Sequence, residues 1–116
     1  MVREMWRGVV LAESTETVVI EGNHYFPRDS ARWEHLKPSA HTSFCSSKGT
    51  ATYYDIVVRG EVNAAAVWCY PSPKLAAEAI RGRFVFWRGV SVESVPGDAV
   101  SERRSSGRGQ NANAYR

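Results

Sequence analysis

The sequence predicts a mainly β, antiparallel domain followed by a basic tail. Three observations carry that expectation. Short runs rich in Val, Ile, Thr and aromatic residues alternate with turns marked by Gly and Pro. Only residues 73–81 show apolar side chains at helical spacing. From about Gly97 the chain is Ser, Gly, Arg, Asn and Ala, with almost no large apolar side chain to offset its ordering entropy. A chain of 116 residues suffices for one domain with one modest core. The reading is a single domain over residues 1–96 and a disordered basic tail over 97–116.

Residues 5–12 read as two short strands about a turn at Arg7-Gly8. Glu13 to Glu16 is the next turn, and Thr17 to Glu21 a strand of β-branched residues. Gly22-Asn23 turns the chain into His24-Tyr25-Phe26, which Pro27 ends because it cannot donate to a ladder. Trp33 to Leu36 is either a short strand or one helical turn, closed by Pro38. Thr42 to Cys45 is strand-like. Thr50 to Arg59 is the strongest strand in the chain. Alternation sends Thr50, Thr52, Tyr54, Ile56 and Val58 to one face and Ala51, Tyr53, Asp55 and Val57 to the other.

A hairpin at Arg59-Gly60-Glu61 returns over Ala64 to Tyr70, with Ala64, Ala66, Trp68 and Tyr70 on one face. Tyr54 and Trp68 then share a side of the sheet if the register permits. Pro71-Ser72-Pro73 breaks the strand. Ser72 reads as a helix N-cap, Pro73 as the first helical residue, and Leu75, Ala76, Ala79 and Ile80 as the apolar stripe, with Gly82 the stop. Arg83 to Trp87 is apolar on both faces and reads as a central strand; Val90 to Glu93 is the last. The sum is seven or eight short strands and one short helix near the C-terminal end of the domain.

Charge excludes some partners. The body carries 11 basic and 10 acidic side chains, so most of the net +3 sits in the tail. No basic stripe interleaved with aromatics appears in the body, which argues against nucleic acid. No apolar run approaches the ~20 residues of a membrane span. Met1-Val2-Arg3-Glu4 leads into strand-like sequence with no apolar leader segment. Cys45 and Cys69 could pair, but nothing demands it; a cytoplasmic protein with free thiols is the expectation.

The chemistry gathers in Cys45-Ser46-Ser47-Lys48-Gly49-Thr50-Ala51-Thr52-Tyr53-Tyr54, which sets a thiol, an amine and phenols within ten residues. Cys45 is either a small hydrophobe or, with Lys48 three residues away, a thiol of lowered pKa. Lys48 is either a solvated turn lysine or an anion contact, with Tyr54 and Tyr70 hydroxyls adding hydrogen bonds. Glu21 either pairs with Lys48 or faces a ligand. His24 and Tyr25 approach the same space, and Trp6, Trp68 and Phe26 are either core or the walls of a small pocket. No histidine stands out as a base for Cys45 among His24, His35 and His41. Two isolated cysteines and scattered histidines do not make metal-ligand spacing, so neither metal nor cofactor is expected.

Several pieces in order resemble the family called domain of unknown function 427, which also carries a nucleotidyltransferase-type name and is bacterial. They are Trp6 with Gly8, Glu13-Ser14, Glu21-Gly22-Asn23-His24-Tyr25-Phe26-Pro27, Leu36 with Pro38-Ser39, Cys45-x-x-Lys48-Gly49-Thr50-Ala51-x-Tyr53-Tyr54, and Trp68-x-Tyr70-Pro71. The likeness covers residues 3–93. It implies two antiparallel sheets meeting at an angle in a tent-like arrangement, and it implies no established activity. An aromatic common in the family before the lysine is Ser47 here, which removes a stacking surface. No phosphate-binding Gly-rich loop and no Gly-Ser with paired aspartates supports nucleotidyl transfer.

The leading expectation is a domain that binds an unknown small molecule between its sheets. Glu21, His24, Tyr25, Phe26, Lys48, Tyr54, Trp68 and Tyr70 would contact the ligand. If it is an enzyme, Cys45 is the nucleophile or redox group and Lys48 the electrostatic anchor. The rival is a non-catalytic module that binds a protein or peptide through its sheet surface and tail. Nucleotidyl transfer is the third reading.

Overall fold

The computed structural model describes residues 1–95, and the expected tail at 97–116 lies outside them. Nine strands form three antiparallel sheets. β1 (Val2–Trp6), β2 (Val9–Ser14) and β9 (Ser91–Ser94) make one, in the order β2-β1-β9. β3 (Val18–Ile20) and β4 (Asn23–Tyr25) make a two-stranded hairpin. β5 (Leu36–Cys45), β6 (Gly49–Val58), β7 (Glu61–Cys69) and β8 (Phe84–Phe86) make the largest, in that order. The resemblance implied two sheets. The third arises because the β3–β4 hairpin reaches the large sheet only through the Phe26–Phe84 bridge, whose two backbone bonds measure 2.8 and 2.9 Å. Pro27 follows at once and has no N–H to extend the pairing.

Three hairpins turn on an Xaa-Gly pair with both residues at positive φ, at Arg7-Gly8, Glu21-Gly22 and Arg59-Gly60. Such two-residue turns match the strand twist. The second falls one residue earlier than the sequence suggests, so Glu21 belongs to the turn and not to the strand.

β6 organises the core because its alternation holds. Tyr54, Ile56 and Val58 face a larger cluster with Leu11, Phe26 and Phe84, while Ala51 and Tyr53 face a smaller one with Tyr25, Tyr70 and Val85. β8 serves both: Phe84 and Phe86 enter the larger cluster and Val85 the smaller. It is thus apolar on both faces as expected, but it is the last strand of its sheet, not a central one. Its outer edge is covered by the Phe26 bridge.

β7 departs from its expected face. Ala65 sits at a φ of 53°, its N–H donating to Asp55 Oδ1 at 2.8 Å, and the β6–β7 register shifts there. Ala66 therefore joins the larger cluster while Trp68 and Tyr70 join the smaller. The same register pairs Trp68 with Tyr53, and Tyr54 with Val67. Tyr54 and Trp68 consequently point to opposite sides of the sheet, contrary to the sequence reading. Tyr54 stacks on Phe84 with ring centroids 5.3 Å apart.

The expected helix over 73–81 is a run of 3₁₀ turns at Leu75–Ile80, and Ser72 does not cap it. The Lys74 N–H is held by the Lys48 carbonyl at 2.9 Å, and Gly82 N–H by the Tyr70 carbonyl at 3.0 Å. Between these anchors Ala77 leaves helical geometry, at φ −114° and ψ 24°. Three-residue turns bury positions three apart, so Ala77 and Ile80 go inside and Leu75 stays exposed. Trp33–His35 is likewise one 3₁₀ turn, resolving the strand-or-turn alternative. Strand β5 starts earlier than expected, at Leu36, and Pro38 lies inside it next to an irregularity that absorbs Ser39 to His41.

Candidate functional site

The Cys45–Lys48 turn joins β5 to β6, and the Lys48 N–H closes it on the Cys45 carbonyl at 3.2 Å. Gly49 follows at φ +110°, a conformation that an L side chain rarely adopts. It brings the chain against Ser72 to Lys74, where the Lys48 carbonyl accepts the Lys74 N–H. Lys48 is thereby folded inward and is only 9% exposed.

Its ammonium meets Glu21 at 3.1 Å, which answers the question of how Glu21 and Lys48 relate. The pair is asymmetric: the Glu21 side chain is 69% exposed. Glu21 also occupies a left-handed backbone position, at φ 56°, that costs a non-glycine residue about 1 kcal/mol. The Glu21 hydrogen bond holds the Lys48 pKa above the ordinary lysine value, against the opposing effect of burial. Lys48 is therefore a fixed cation at neutral pH and not an amine nucleophile.

Tyr25, which feels the Lys48 charge, belongs to the smaller cluster with Tyr70 and Tyr53. Tyr25 is buried, and burial raises its pKa, opposed by the neighbouring Trp68 indole and by the Lys48 charge. Tyr70 is 8% exposed and its pKa is pushed up to about 12 by burial, with Cys45, Tyr25, Tyr53 and Glu21 adding to the effect. Its hydroxyl makes no hydrogen bond among the described residues. Tyr53 hydrogen-bonds Ser43 at 2.9 Å and meets the His41 ring edge-on at 4.5 Å.

Cys45 is half-buried, with Sγ 3.3 Å from Ser47 Oγ. The Ser47 side chain, the Ser47 and Lys48 N–H groups and the Lys48 charge all lower its pKa. Cys69 is also a free thiol, but burial in the larger cluster raises it to about 11.

Of the expected residues, Glu21, Tyr25, Cys45, Lys48, Trp68 and Tyr70 come together. Three do not. Tyr54 and Phe26 belong to the larger cluster, and His24 Nδ1 is bound by Thr17 Oγ1 at 3.0 Å. Alternation along β4 explains the last two, since Tyr25 faces opposite to His24 and Phe26. Trp6 also packs on the larger cluster. Tyr53 and Ser47 were missed. The signal for Tyr53 was present in the two-residue Arg59-Gly60 turn, which pairs Val58 with Glu61 and so faces odd β6 residues with even β7 residues such as Trp68.

A shallow cavity of about 710 Å³ opens elsewhere, against Arg28, Asp29 and Trp33, on the side where Trp33 meets Tyr54 and Phe84. Among the described residues no three His, Cys, Asp or Glu side chains gather as metal ligands, and no helix is long and apolar enough to cross a membrane.

A search of curated proteins finds no match to the chain. Residues 1–96 match a family model that carries a nucleotidyltransferase-type name and is described as a domain of unknown function. On that match, which spans all the described strands, the chain belongs to the domain of unknown function 427 family.

Proposed function

We propose that this domain binds a small anion over Lys48, with the Tyr25 and Tyr70 hydroxyls completing the contact. The observation that carries the reading is an excess of donors. Lys48 brings three N–H groups and spends one on Glu21. Tyr25 lies close enough to Lys48 for each to feel the other's charge. Tyr70 is a largely buried residue whose O–H has no acceptor among the described residues. Buried polar groups are paired in native structures, so an ammonium with N–H groups to spare, next to tyrosines of the same region, calls for an acceptor-rich ligand. The ligand would lie between the β3–β4 hairpin, which supplies Glu21 and Tyr25, and the large sheet, which supplies the rest. That position would correspond to the between-sheet pocket that a tent-like arrangement implies. Two free thiols suit a reducing compartment, the cytoplasm.

Amide chemical-shift titration with acetate, succinate and inorganic phosphate tests the proposal. Saturable shifts at Lys48, Gly49 and Tyr70 are expected, and their loss in Lys48→Met. Shifts that are absent, or that survive the substitution, overturn it.

A second reading, a peptide-binding module, draws on the exposed Phe44 and Leu75 beside the site, with the Lys74 ammonium 5.5 Å from the Phe44 ring. It predicts that Phe44→Ser with Leu75→Ser abolishes partner capture and leaves the anion shifts intact. Nucleotidyl transfer predicts magnesium-dependent shifts with a nucleoside triphosphate that inorganic phosphate does not reproduce.

A further inference from the structure

We propose that the cavity at Arg28, Asp29 and Trp33 is a second binding site, which takes a free α-amino acid with an apolar or aromatic side chain. Arg28 holds the carboxylate, Asp29 the ammonium, and the Trp33 indole the side chain. The site is separate from Lys48. Trp33 packs against the larger cluster, whereas Tyr25, which feels the Lys48 charge, belongs to the smaller one. The observation that leads here is two opposite charges that share a cavity and do not pair. Arg28 and Asp29 both line it, yet neither side chain forms an ion pair or hydrogen bond among the described residues. By contrast Arg3, Arg7, Arg32 and Arg81 each meet a carboxylate within 3.4 Å.

Arg28 rests on rings instead. Its guanidinium carbon stands 4.6 Å from the Trp33 ring centroid and 5.8 Å from that of Phe84. Stacking uses the face of a guanidinium and leaves its in-plane N–H fork free, the geometry that takes a carboxylate through two parallel bonds. The platform is built without a ligand. Trp33 Nε1 donates to the Arg28 carbonyl at 3.3 Å, and the indole meets Tyr54 and Phe84 edge-on at 5.6 and 4.9 Å. The Ser30 N–H and Oγ close the Arg28–Ser30 turn on the Pro27 carbonyl, at 3.0 and 2.7 Å. The chain beyond is tied to β2 by the Ala12–Ala31 bridge and by the Arg32 N–H on the Leu11 carbonyl at 2.8 Å. Charge then selects the ligand. A simple carboxylate would face Asp29 and a simple amine would face Arg28, each a like charge, whereas a zwitterion matches both. Consecutive residues have Cα atoms about 3.8 Å apart, so the two charges they address are close together, as on one α-carbon. A volume of about 710 Å³ leaves room for a side chain against the indole, within the roughly 300–1,000 Å³ of small-molecule sites.

Chemical-shift titration of the full chain with L-phenylalanine tests the proposal, beside phenylpropionate, which lacks the ammonium, and phenethylamine, which lacks the carboxylate. Saturable shifts with phenylalanine are expected at the Arg28 and Asp29 amides and at the Trp33 indole N–H. Each truncated compound should bind about tenfold more weakly, the worth of one charge-assisted hydrogen bond. Arg28→Gln should cost phenylalanine that tenfold and leave phenethylamine unweakened. Asp29→Asn should do the same for phenylalanine against phenylpropionate. Both residues are exposed, so these changes keep the fold. Equal affinity for the three compounds would mean that only the ring is held, and overturns the proposal. So does a preference for phenylalanine that survives both substitutions, or the absence of saturable shifts. Lys48→Met should leave the phenylalanine shifts unchanged; their loss there would assign them to the other site and equally overturn this one.

Discussion

The two faces of the large sheet are built from the same strands and do opposite things. On one, Tyr54, Ile56, Phe84 and Phe86 close a core with Leu11 and Phe26, and aromatic rings meet edge-on or stacked. On the other, Tyr53, Trp68, Val85 and Tyr70 gather with Tyr25, Cys45 and, at the rim, the Lys48–Glu21 pair. The cysteines report the contrast. Cys69 has its pKa raised to about 11 by apolar burial, while Cys45 has its own lowered by donors and a nearby cation. One residue type, two strands apart in one sheet, has its thiolate disfavoured on one face and favoured on the other. The lesson is that β alternation can supply an apolar core and a cluster with polar tips from one set of strands. Removing a side chain from the first should cost stability, and removing a polar tip from the second should cost binding.

The largest effect is expected for Phe84→Ala. Phe84 is fully buried, packs against Trp33 and Tyr54, and forms the bridge to Phe26. Urea unfolding should show a loss of about 4 kcal/mol. A loss below about 1 kcal/mol would mean that this face is not the main core.

Glu4 sharpens the comparison from within the apolar side. It lies on β1 between Ala12 and Val92, is 5% exposed, and burial raises its carboxyl pKa from 4.5 to about 8. Its folded pKa exceeds its unfolded one, so the folded state holds the proton more tightly. Stability on its account is highest below about pH 4.5, falls through the interval up to pH 8, and stays low above it. Glu4→Gln should therefore stabilise the protein by on the order of 3 kcal/mol at pH 9 and by nearly nothing at pH 4. Unfolding curves at the two pH values check this, and an equal effect at both would contradict it.

The smallest effect on stability is expected at the rim. Glu21→Asn removes the carboxylate from Lys48 but places at φ 56° a residue that tolerates that conformation well. Thermal unfolding should change by no more than about 0.5 kcal/mol, because the Glu21 carboxylate stands in solvent and its pairing is screened. Anion affinity should rise, since Lys48 loses its competitor. A large loss of stability would make Glu21 a structural residue and weaken the case for a site.

Much of this was legible in the residues. The alternation of β6 and the turns at Arg7-Gly8 and Arg59-Gly60 follow from spacing and turn chemistry, while the Glu21–Lys48 pair was one of two alternatives that the residues left open. The 3₁₀ run at Leu75–Ile80 was not, because its cause is distant: Lys74 is tied to the Lys48 carbonyl, a contact that no local pattern records. The choice of Tyr53 over Tyr54 turned on strand parity, which the Arg59-Gly60 turn encodes. The opposite environments of Cys45 and Cys69 required knowing which cluster each enters, and that depends on the whole sheet.

The central claim is that the tyrosine-lined face is kept for a ligand and not for stability. Tyr70→Phe tests it most directly, measured by urea unfolding and by the acetate titration on the same sample. Because the Tyr70 hydroxyl has no partner among the described residues, its removal should leave stability equal or raise it by up to about 1 kcal/mol. The acetate-dependent shifts at Lys48 and Gly49 should weaken markedly. A variant less stable by 1 kcal/mol or so, with its acetate response unchanged, would show that Tyr70 is ordinary core and would contradict the account.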